Sequence, residues 1–292
     1  MVGGLDNRKR GKHNLPHASN PAQPSHMPHA PAMLTLRISP TTLSVACLEQ
    51  GKPFAFSPIP LQSHRSLIAN LQEAVSTNPV LSERNLSAPT QVLVVGNVTP
   101  IPLADFQEED CDAFYNYCFK PTFPHRVFYD VVPSANLMLV FGLPEATCKA
   151  IEEALGEVHY VAAMTPVLKQ FVQKSTQEPG VQLYIYMHEK IVDIVLLDNG
   201  RLLITNSYEV HSAADAAYYA FNIINHHGLK AQDTPIHIAG TPELRNPLIA
   251  ELGKFASHTL PILPSIDFRH HEIASTEGMT YDLMAFLLGR KK

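Results

Sequence analysis

The side chains here that could carry chemistry fall into a few groups. Glu108, Glu109 and Asp110, with Asp193 and Asp198 further on, are carboxylates that could serve metal-assisted or general acid–base hydrolysis if they converged. His226-His227 and His270-His271, the latter next to Arg269, are the material of a metal site. Tyr208, Tyr218 and Tyr219 offer an aromatic contact surface. Cys47, Cys111, Cys118 and Cys148 include no C-x-x-C pair and read as reduced thiols, in the core or at the surface. No G-x-x-x-x-G-K-[ST], H-E-x-x-H or G-x-S-x-G occurs, and Gly11-Lys12 follows Gly4 at the wrong spacing for a phosphate loop.

The elements that must hold these groups narrow their roles. The acidic run opens a helix predicted over 104–118, where the helix dipole favours negative charge, and it reads as a solvated helix start. Asp193 lies on a strand and Asp198 at its end. An exposed edge position suits Asp193, because a buried carboxylate needs a partner. His226-His227 precedes Gly228 at a helix C-terminus, where imidazole complements the dipole. His270-His271 falls in a loop or irregular strand without a third ligand nearby in sequence. The tyrosines read as packing between strand and helix, with hydroxyls at the rim.

The clearest local structure runs from Gln182 to His227. LYIYMHE, KIVDIVLLD and RLLITNSYEV are three strands, and Asn199-Gly200 between the last two is a type I′ hairpin turn. Ser212 and Asp215 then form a capping box ahead of a helix with Ala217, Phe221 and Ile224 on one face. The same order opens at Leu34: LTLRI, TLSVACLE and KPFAFSPIP, then a helix with Leu67, Ile68, Leu71 and Val75, ended by Asn78-Pro79. A strand at 91–97, a loop from Asn97 to Pro102, the 104–118 helix and the strands RVFYDVV and NLMLVFG follow. Pro144 opens a helix that Gly156 closes; VHYVAAM is a strand, and Thr165-Pro166 caps a helix carrying Val167, Leu168, Phe171 and Val172. In the second half the helix 212–227 is followed by the strand PIHIAG, a helix after Asn246-Pro247, the strand TLPIL and a closing helix near 280–288.

The chain is therefore a duplicated α/β protein. Its expected parts are a disordered Pro/His-rich arm over 1–32, a first half over 33–178 and a second half over 179–292, divided at the polar Ser175–Gly180. The arm's histidines, His13, His17, His26 and His29, read as composition bias, and Met33 is the expected true start. At 292 residues and 45% hydrophobic, two domains are expected. A net charge of −5, from 22 basic and 27 acidic residues, supplies no positive field for nucleic acid. The basic end Arg290-Lys291-Lys292 reads as solubilising. No apolar run is long enough to span a membrane and no leader-like segment follows the early basic residues, so the expected location is cytoplasmic.

The doubled βββαβαβα order resembles that of the actin-like ATPases, whose halves are each built on a ribonuclease H-like core. Within them, LMLVFGLPEATCKAIEEALGEVHYVAAMTPVLKQFVQK resembles the βαβα stretch of the small inserted subdomain of PilM and GspL, actin-like proteins of pilus and secretion systems. A closer resemblance, from Met33 to the C-terminus, is to an uncharacterised bacterial domain-of-unknown-function family with the same fold. Asn206-Ser207-Tyr208, Asp215 with Tyr218-Tyr219, and Ala239-Gly240 carry it.

The resemblance implies a nucleotide cleft between the halves, and this chain departs from it. The first phosphate hairpin should carry D-x-G, with the acid serving Mg²⁺ and the glycine admitting phosphate, but the sequence has Arg37-Ile38-Ser39-Pro40. The second should carry glycine, but the sequence has Met187-His188-Glu189-Lys190. The adenosine loop is kept in part, as Gly240-Thr241-Pro242. Arg37, Ser39, Thr41, His188, Lys190, Gly240 and Thr241 are thus the expected remnants of the cleft site, and Asn206, Tyr208, Asp215 and Tyr218 the candidate partner surface. The implied function is a non-catalytic or weakly nucleotide-binding actin-like interaction module, with no metal and no resident cofactor. The alternative is an ATP- and Mg²⁺-binding ATPase of the PilM type that uses Arg37 or Lys190 against phosphate. The expected partner is a protein, with a homodimer as one form of it.

Overall fold

Two sheets with the same strand order carry the body, and each begins with an antiparallel meander followed by parallel strands. In the computed structural model, which describes residues 33–49, 51–82 and 90–289, the first sheet is ordered β3-β2-β1-β4-β8. Its strands are β1 (Met33–Ile38), β2 (Thr42–Leu48), β3 (Ala55–Pro60), β4 (Thr90–Val94) and β8 (Val158–Ala162). The second is ordered β11-β10-β9-β12-β13, from β9 (Val181–His188), β10 (Ile191–Asp198), β11 (Arg201–Glu209), β12 (Ile236–Ala239) and β13 (Thr259–Pro261). The arm over 1–32 and the basic end lie outside the described residues. The described residues belong to one compact unit, Pro31–Lys292.

Strands in the middle of such sheets are covered on both faces, which is why TLR in β1 and VLV in β4 are buried without alternation. The outer face of the first sheet packs Leu36 and Val45 on Leu71 of α1 (Leu67–Thr77) and Ile151 of α4 (Glu145–Leu155). The short α2 (Pro79–Ser82) adds Leu81 to that layer. The outer face of the second packs Leu183 and Ile194 on Ile224 of α6 (Ala213–His226) and Leu248 of α7 (Pro242–Leu252). The inner faces share a core. Leu93 and Val195, from opposite sheets, meet Phe171 of α5 (Met164–Ser175) and Leu283 of α9 (Tyr281–Leu288) within it. Burial of that apolar surface is the main force joining the sheets.

A third sheet, β5-β7-β6, is inserted between β4 and α4: β5 (Val98–Pro102), β6 (His125–Val132) and β7 (Leu137–Pro144). It packs through Ile101 and Val140 on Cys111 and Tyr115 of α3 (Cys111–Phe119). Tyr115 requires the glycine opposite it, since a Cβ on Gly142 would lie 2.6 Å from its ring. Asp130 of β6 ties the insertion to the body: it accepts from the Ala162 N–H at 2.8 Å and the Thr165 hydroxyl at 2.6 Å. Burial pushes this carboxyl up to about 6, against the opposing pull of those two bonds and of Lys169.

Local signals in the second half hold as expected. Asn199 and Gly200 take φ of 49° and 81°, and both arms of the Ser212–Asp215 capping box are made. Elsewhere the structure corrects the sequence reading. Asn97–Pro102, expected as a loop, contains β5, because the small sheet accepts a proline-bearing edge strand that pairs on one side alone. The preceding strand ends at Val94 rather than at 97. The 104–118 helix begins only at Cys111, after a 3₁₀ turn at Glu108–Asp110. The helix expected after Asn246-Pro247 starts at Pro242, with Pro247 inside it. α5 starts at Met164, one residue before Thr165, and no side chain caps it. Of the run matched to the inserted subdomain, only β7 lies in the small sheet, since β8 pairs with β4 and α5 packs in the central core.

Two short helical pieces near the C-terminus had no sequence counterpart: α8 (Pro264–Asp267) and a 3₁₀ turn at Glu272–Ser275. His271 N-caps that turn, its Nδ1 accepting from the Ile273 N–H at 3.2 Å. His226 is the last residue of α6 and His227 its C-cap, the position expected for them.

Candidate functional site: the cleft between the two sheets

Arg37 stands near the end of β1, opposite Ser44 on one neighbour and Leu93 on the other, and it is fully buried. A guanidinium there must be neutralised. Its Nε donates to both carboxylate oxygens of Asp282, at 3.0 and 2.8 Å, and its Nη1 donates to Glu189 Oε1 at 3.1 Å. Asp282, itself fully buried in the first turn of α9, also accepts from the Thr280 hydroxyl and from the Leu283 N–H. Burial alone would lower the Arg37 pKa. The carboxylates of Asp282 and Glu189 outweigh it, so the net shift is upward and the guanidinium stays charged. Burial raises the phenols of Tyr186 and Tyr281 beside it well above the ordinary range.

Of the two turns that border the smaller cavity, the β1–β2 turn has spent its polar groups internally. In the β1–β2 turn Ser39 Oγ accepts from the Thr41 and Thr42 N–H groups, at 3.3 and 2.9 Å, and donates to the Thr42 carbonyl. Pro40 between them has no N–H to offer. The β9–β10 turn places Glu189 at φ 53°, a left-handed conformation unfavourable to a side chain, and the pairing with Arg37 helps hold it there. At the end of β12, Gly240 has φ 139°, and a Cβ on it would meet the Met187 carbonyl oxygen at 2.6 Å. That glycine is required by its closeness to β9.

Asp193 is buried, which corrects the expectation of an exposed edge position. It is paired on both sides: His188 Nε2 lies 2.7 Å from Oδ2, and the Ser207 hydroxyl donates to Oδ1. The partners supply what a buried carboxylate needs. Ser207, His188 and Asp193 are the residue types of a nucleophilic triad, but here the acid sits in the middle. Ser207 donates to Asp193 rather than to His188, so no base withdraws its proton. The cluster fastens β9, β10 and β11 together, and the His188 ring stacks on Tyr186 at 4.5 Å.

Two cavities lie against these groups. One, of about 290 Å³, is walled by Thr41, Gly96, His188, Lys190 and Tyr208 among others. The second, of about 330 Å³, is walled by Arg37, Tyr186, Gly240, Thr241 and Tyr281 among others. His188 and Glu189 border both. Of the expected cleft residues, Arg37, His188, Gly240 and Thr241 thus share one cavity, and Thr41, His188 and Lys190 the other. Ser39 borders neither as described, and it is buried within its own turn.

The candidate partner surface is brought together in part. Tyr208 stacks on Tyr219 at 4.0 Å, Tyr218 meets Tyr219 edge-on at 5.4 Å, and Asn206 donates to the Tyr208 hydroxyl at 3.0 Å. Tyr218 is 66% exposed. Asp215 is engaged elsewhere, accepting from the N–H groups of His211 and Ser212 in the cap of α6. Its carboxyl is lowered by the His211 bond first.

Sequence reasoning missed Glu189 and Asp282 as the counter-ions of Arg37. A charged residue inside the apolar run LTLRI was the available signal, since it demands carboxylates from elsewhere in the fold. Among the described residues no three His, Cys, Asp or Glu side chains gather to hold a metal ion. No described helix is long and apolar enough to cross a membrane.

Solved structures share this architecture. A protein of Bacteroides thetaiotaomicron VPI-5482 with an actin-like ATPase fold and unknown function has a TM-score of 0.73 at 22% identity, covering 84% of this chain and 96% of its own. A chain of the PilM–PilN type IV pilus biogenesis complex has a TM-score of 0.56 at 13% identity, covering 88% of this chain and 97% of its own. At these identities the likeness establishes the fold: two ribonuclease H-like halves in an actin-like ATPase arrangement. No curated protein matches the chain by sequence. One family model does, over residues 28–259, and by that match the chain belongs to the family described as protein of unknown function (DUF3822).

Proposed function

We propose that this chain is a non-catalytic actin-like interaction module of the cytoplasm, its two halves meeting near residues 178–179, and that its cleft does not take nucleotide. The observation that carries the reading is the buried Arg37–Asp282–Glu189 bridge across the cleft. Phosphoryl transfer relies on a metal-holding acid and on backbone donors free to meet phosphate. Here the acid's place is held by a guanidinium already matched by two carboxylates, and Ser39 occupies the N–H groups of Thr41 and Thr42. A phosphate entering would meet the two carboxylates that already hold the guanidinium. The partner, in this reading, is another protein meeting the exposed face at Asn206, Tyr208 and Tyr218. The similar PilM–PilN chain is part of a protein assembly, which supports a protein partner in kind. The cytoplasmic placement draws on four cysteines that all remain free thiols.

Calorimetry on the full chain with ATP and Mg²⁺ tests the cleft. No saturable binding is expected. Saturable micromolar binding would overturn the reading and favour the alternative, in which exposed Lys190 beside the smaller cavity contacts phosphate.

A further inference from the structure

The edges of the three sheets are not protected alike. β3 carries Pro58 and Pro60, β5 carries Pro100 and Pro102, and β13 carries Pro261. Proline lacks the N–H that a further strand would need, so these edges are blunted. β6 and β8 lie against each other, with the Phe128 and Tyr160 rings 4.5 Å apart and the Ala162 N–H held by Asp130. Among the described residues that leaves β11. Its nine residues include no proline, none of them is buried, and they pair with β10 alone.

The groups on its free side follow from the register. Just past the strand the Val210 N–H donates to the Lys190 carbonyl at 2.8 Å, and the pairing runs without a break from Glu209 opposite Ile191 to Ile204 opposite Leu196. Bonded and non-bonded pairs alternate along an antiparallel ladder. Tyr208, Asn206 and Ile204 therefore turn their N–H and C=O groups toward β10, whereas Glu209, Ser207 and Thr205 turn theirs away from it. Donor and acceptor thus recur together about every 6.8 Å along the edge, an array that an extended polypeptide matches. The side chains beside it select further. Tyr208 stacks on Tyr219 with Tyr218 exposed alongside, which favours β-branched or aromatic neighbours on that face, and the exposed Glu209 favours a basic one. Leu203 is unmatched in the register, so the regular edge is confined to 204–209. That length accommodates one strand segment but is short for a stable dimer, which buries on the order of 1,000 Å² or more. We propose that a protein partner adds an extended segment to β11, as a sixth strand of the second sheet. The proposal deepens the reading of the chain as an interaction module and rests on it.

The probe is a fluorescein-labelled, amidated hexapeptide of alternating valine and threonine with one terminal lysine, titrated against the full chain by anisotropy. A second peptide of the same sequence is N-methylated at every peptide bond, which keeps side chains and charge but removes the N–H donors. The first is expected to bind saturably and the second not to bind. Thr205→Pro removes an outward N–H while sparing the ladder to β10, so it is expected to weaken the first peptide about tenfold with the circular dichroism of the chain unchanged. Equal binding of the two peptides overturns the proposal, and so does the absence of saturable binding of the first. Sedimentation velocity showing a dimer that Thr205→Pro dissociates would assign the edge to a second copy and overturn it as well. Mg²⁺-ATP titrated in parallel keeps the two failures apart. Saturable ATP binding defeats the non-nucleotide module, whereas a peptide that fails with no ATP binding defeats the strand site alone.

Discussion

Arg37 and Asp282 are 245 positions apart in the chain, yet the Arg37 Nε lies 3.0 and 2.8 Å from the two carboxylate oxygens of Asp282. The contact joins the central strand of the first sheet to the last helix. Through Glu189 on the β9–β10 turn it reaches the second sheet as well. One guanidinium therefore connects three segments that the chain order keeps far apart. The resemblance to actin-like ATPases implies a phosphate and metal site there, so the proposed non-catalytic reading of the cleft rests on this same structural junction.

The bridge should behave as a coupled buried pair. Removing one partner leaves the other charged in a low-dielectric site, so Asp282→Asn is expected to destabilise the fold by about 3–5 kcal/mol. Replacing both with apolar side chains, Arg37→Met with Asp282→Leu, is expected to cost less than Asp282→Asn alone, because only the partly exposed Glu189 then loses its partner. Chemical denaturation of the wild type, Asp282→Asn, the single variants Arg37→Met and Asp282→Leu, and the double variant measures this. A double variant as unstable as the two singles summed would show that the pair is not coupled.

Gly240 tests how closely β12 approaches β9. Gly240→Ala would bring a Cβ to 2.6 Å from the Met187 carbonyl oxygen at a φ of 139°. Backbone would have to move, with an expected loss of about 1–3 kcal/mol. Thermal unfolding reads the effect, and an unchanged melting temperature would contradict the close approach.

The parts of this fold legible in the sequence were those fixed by nearby residues. Asn199-Gly200 needs positive φ at adjacent positions, and Ser212 and Asp215 cap one helix reciprocally; both signals are complete within four residues. The duplication was legible because each half repeats its own meander and crossovers. The site was legible only as an anomaly. Arg37 stood out in an apolar strand, but its partners at 189 and 282 come from other elements, and nothing local specifies them. Asp193 was misplaced for the same reason, since its neighbours His188 and Ser207 sit on two different flanking strands. β5 escaped because Pro100 and Pro102 disguise a strand whose pairing is set by β7.

The cap of α6 offers a cleaner measure than the buried sites, because the residues concerned are at the surface. Ser212 Oγ accepts from the Asp215 N–H at 3.2 Å, and Asp215 returns two bonds to the backbone before it. Ser212→Ala is expected to cost about 1 kcal/mol, and Ser212→Gly only a few tenths. Equilibrium denaturation of the three proteins side by side gives the ranking, and an Ala variant as stable as the wild type would mean that water replaces the cap without loss.

Asp130 gives a pH dependence with a definite sign. Its carboxyl is raised from 3.8 to about 6 by burial, so the folded chain holds that proton more tightly than the unfolded chain does. Stability from this group is therefore fully present below 3.8 and is lost as the pH rises through about 6. Asp130→Asn cannot titrate and lacks this trend. The wild type is expected to gain on the variant by on the order of 1–3 kcal/mol as the pH falls across that window. Parallel urea denaturation at a series of pH values compares them directly. A difference that stays flat, or grows toward high pH, would mean that the Ala162 and Thr165 bonds outweigh burial and keep the carboxylate ionised throughout.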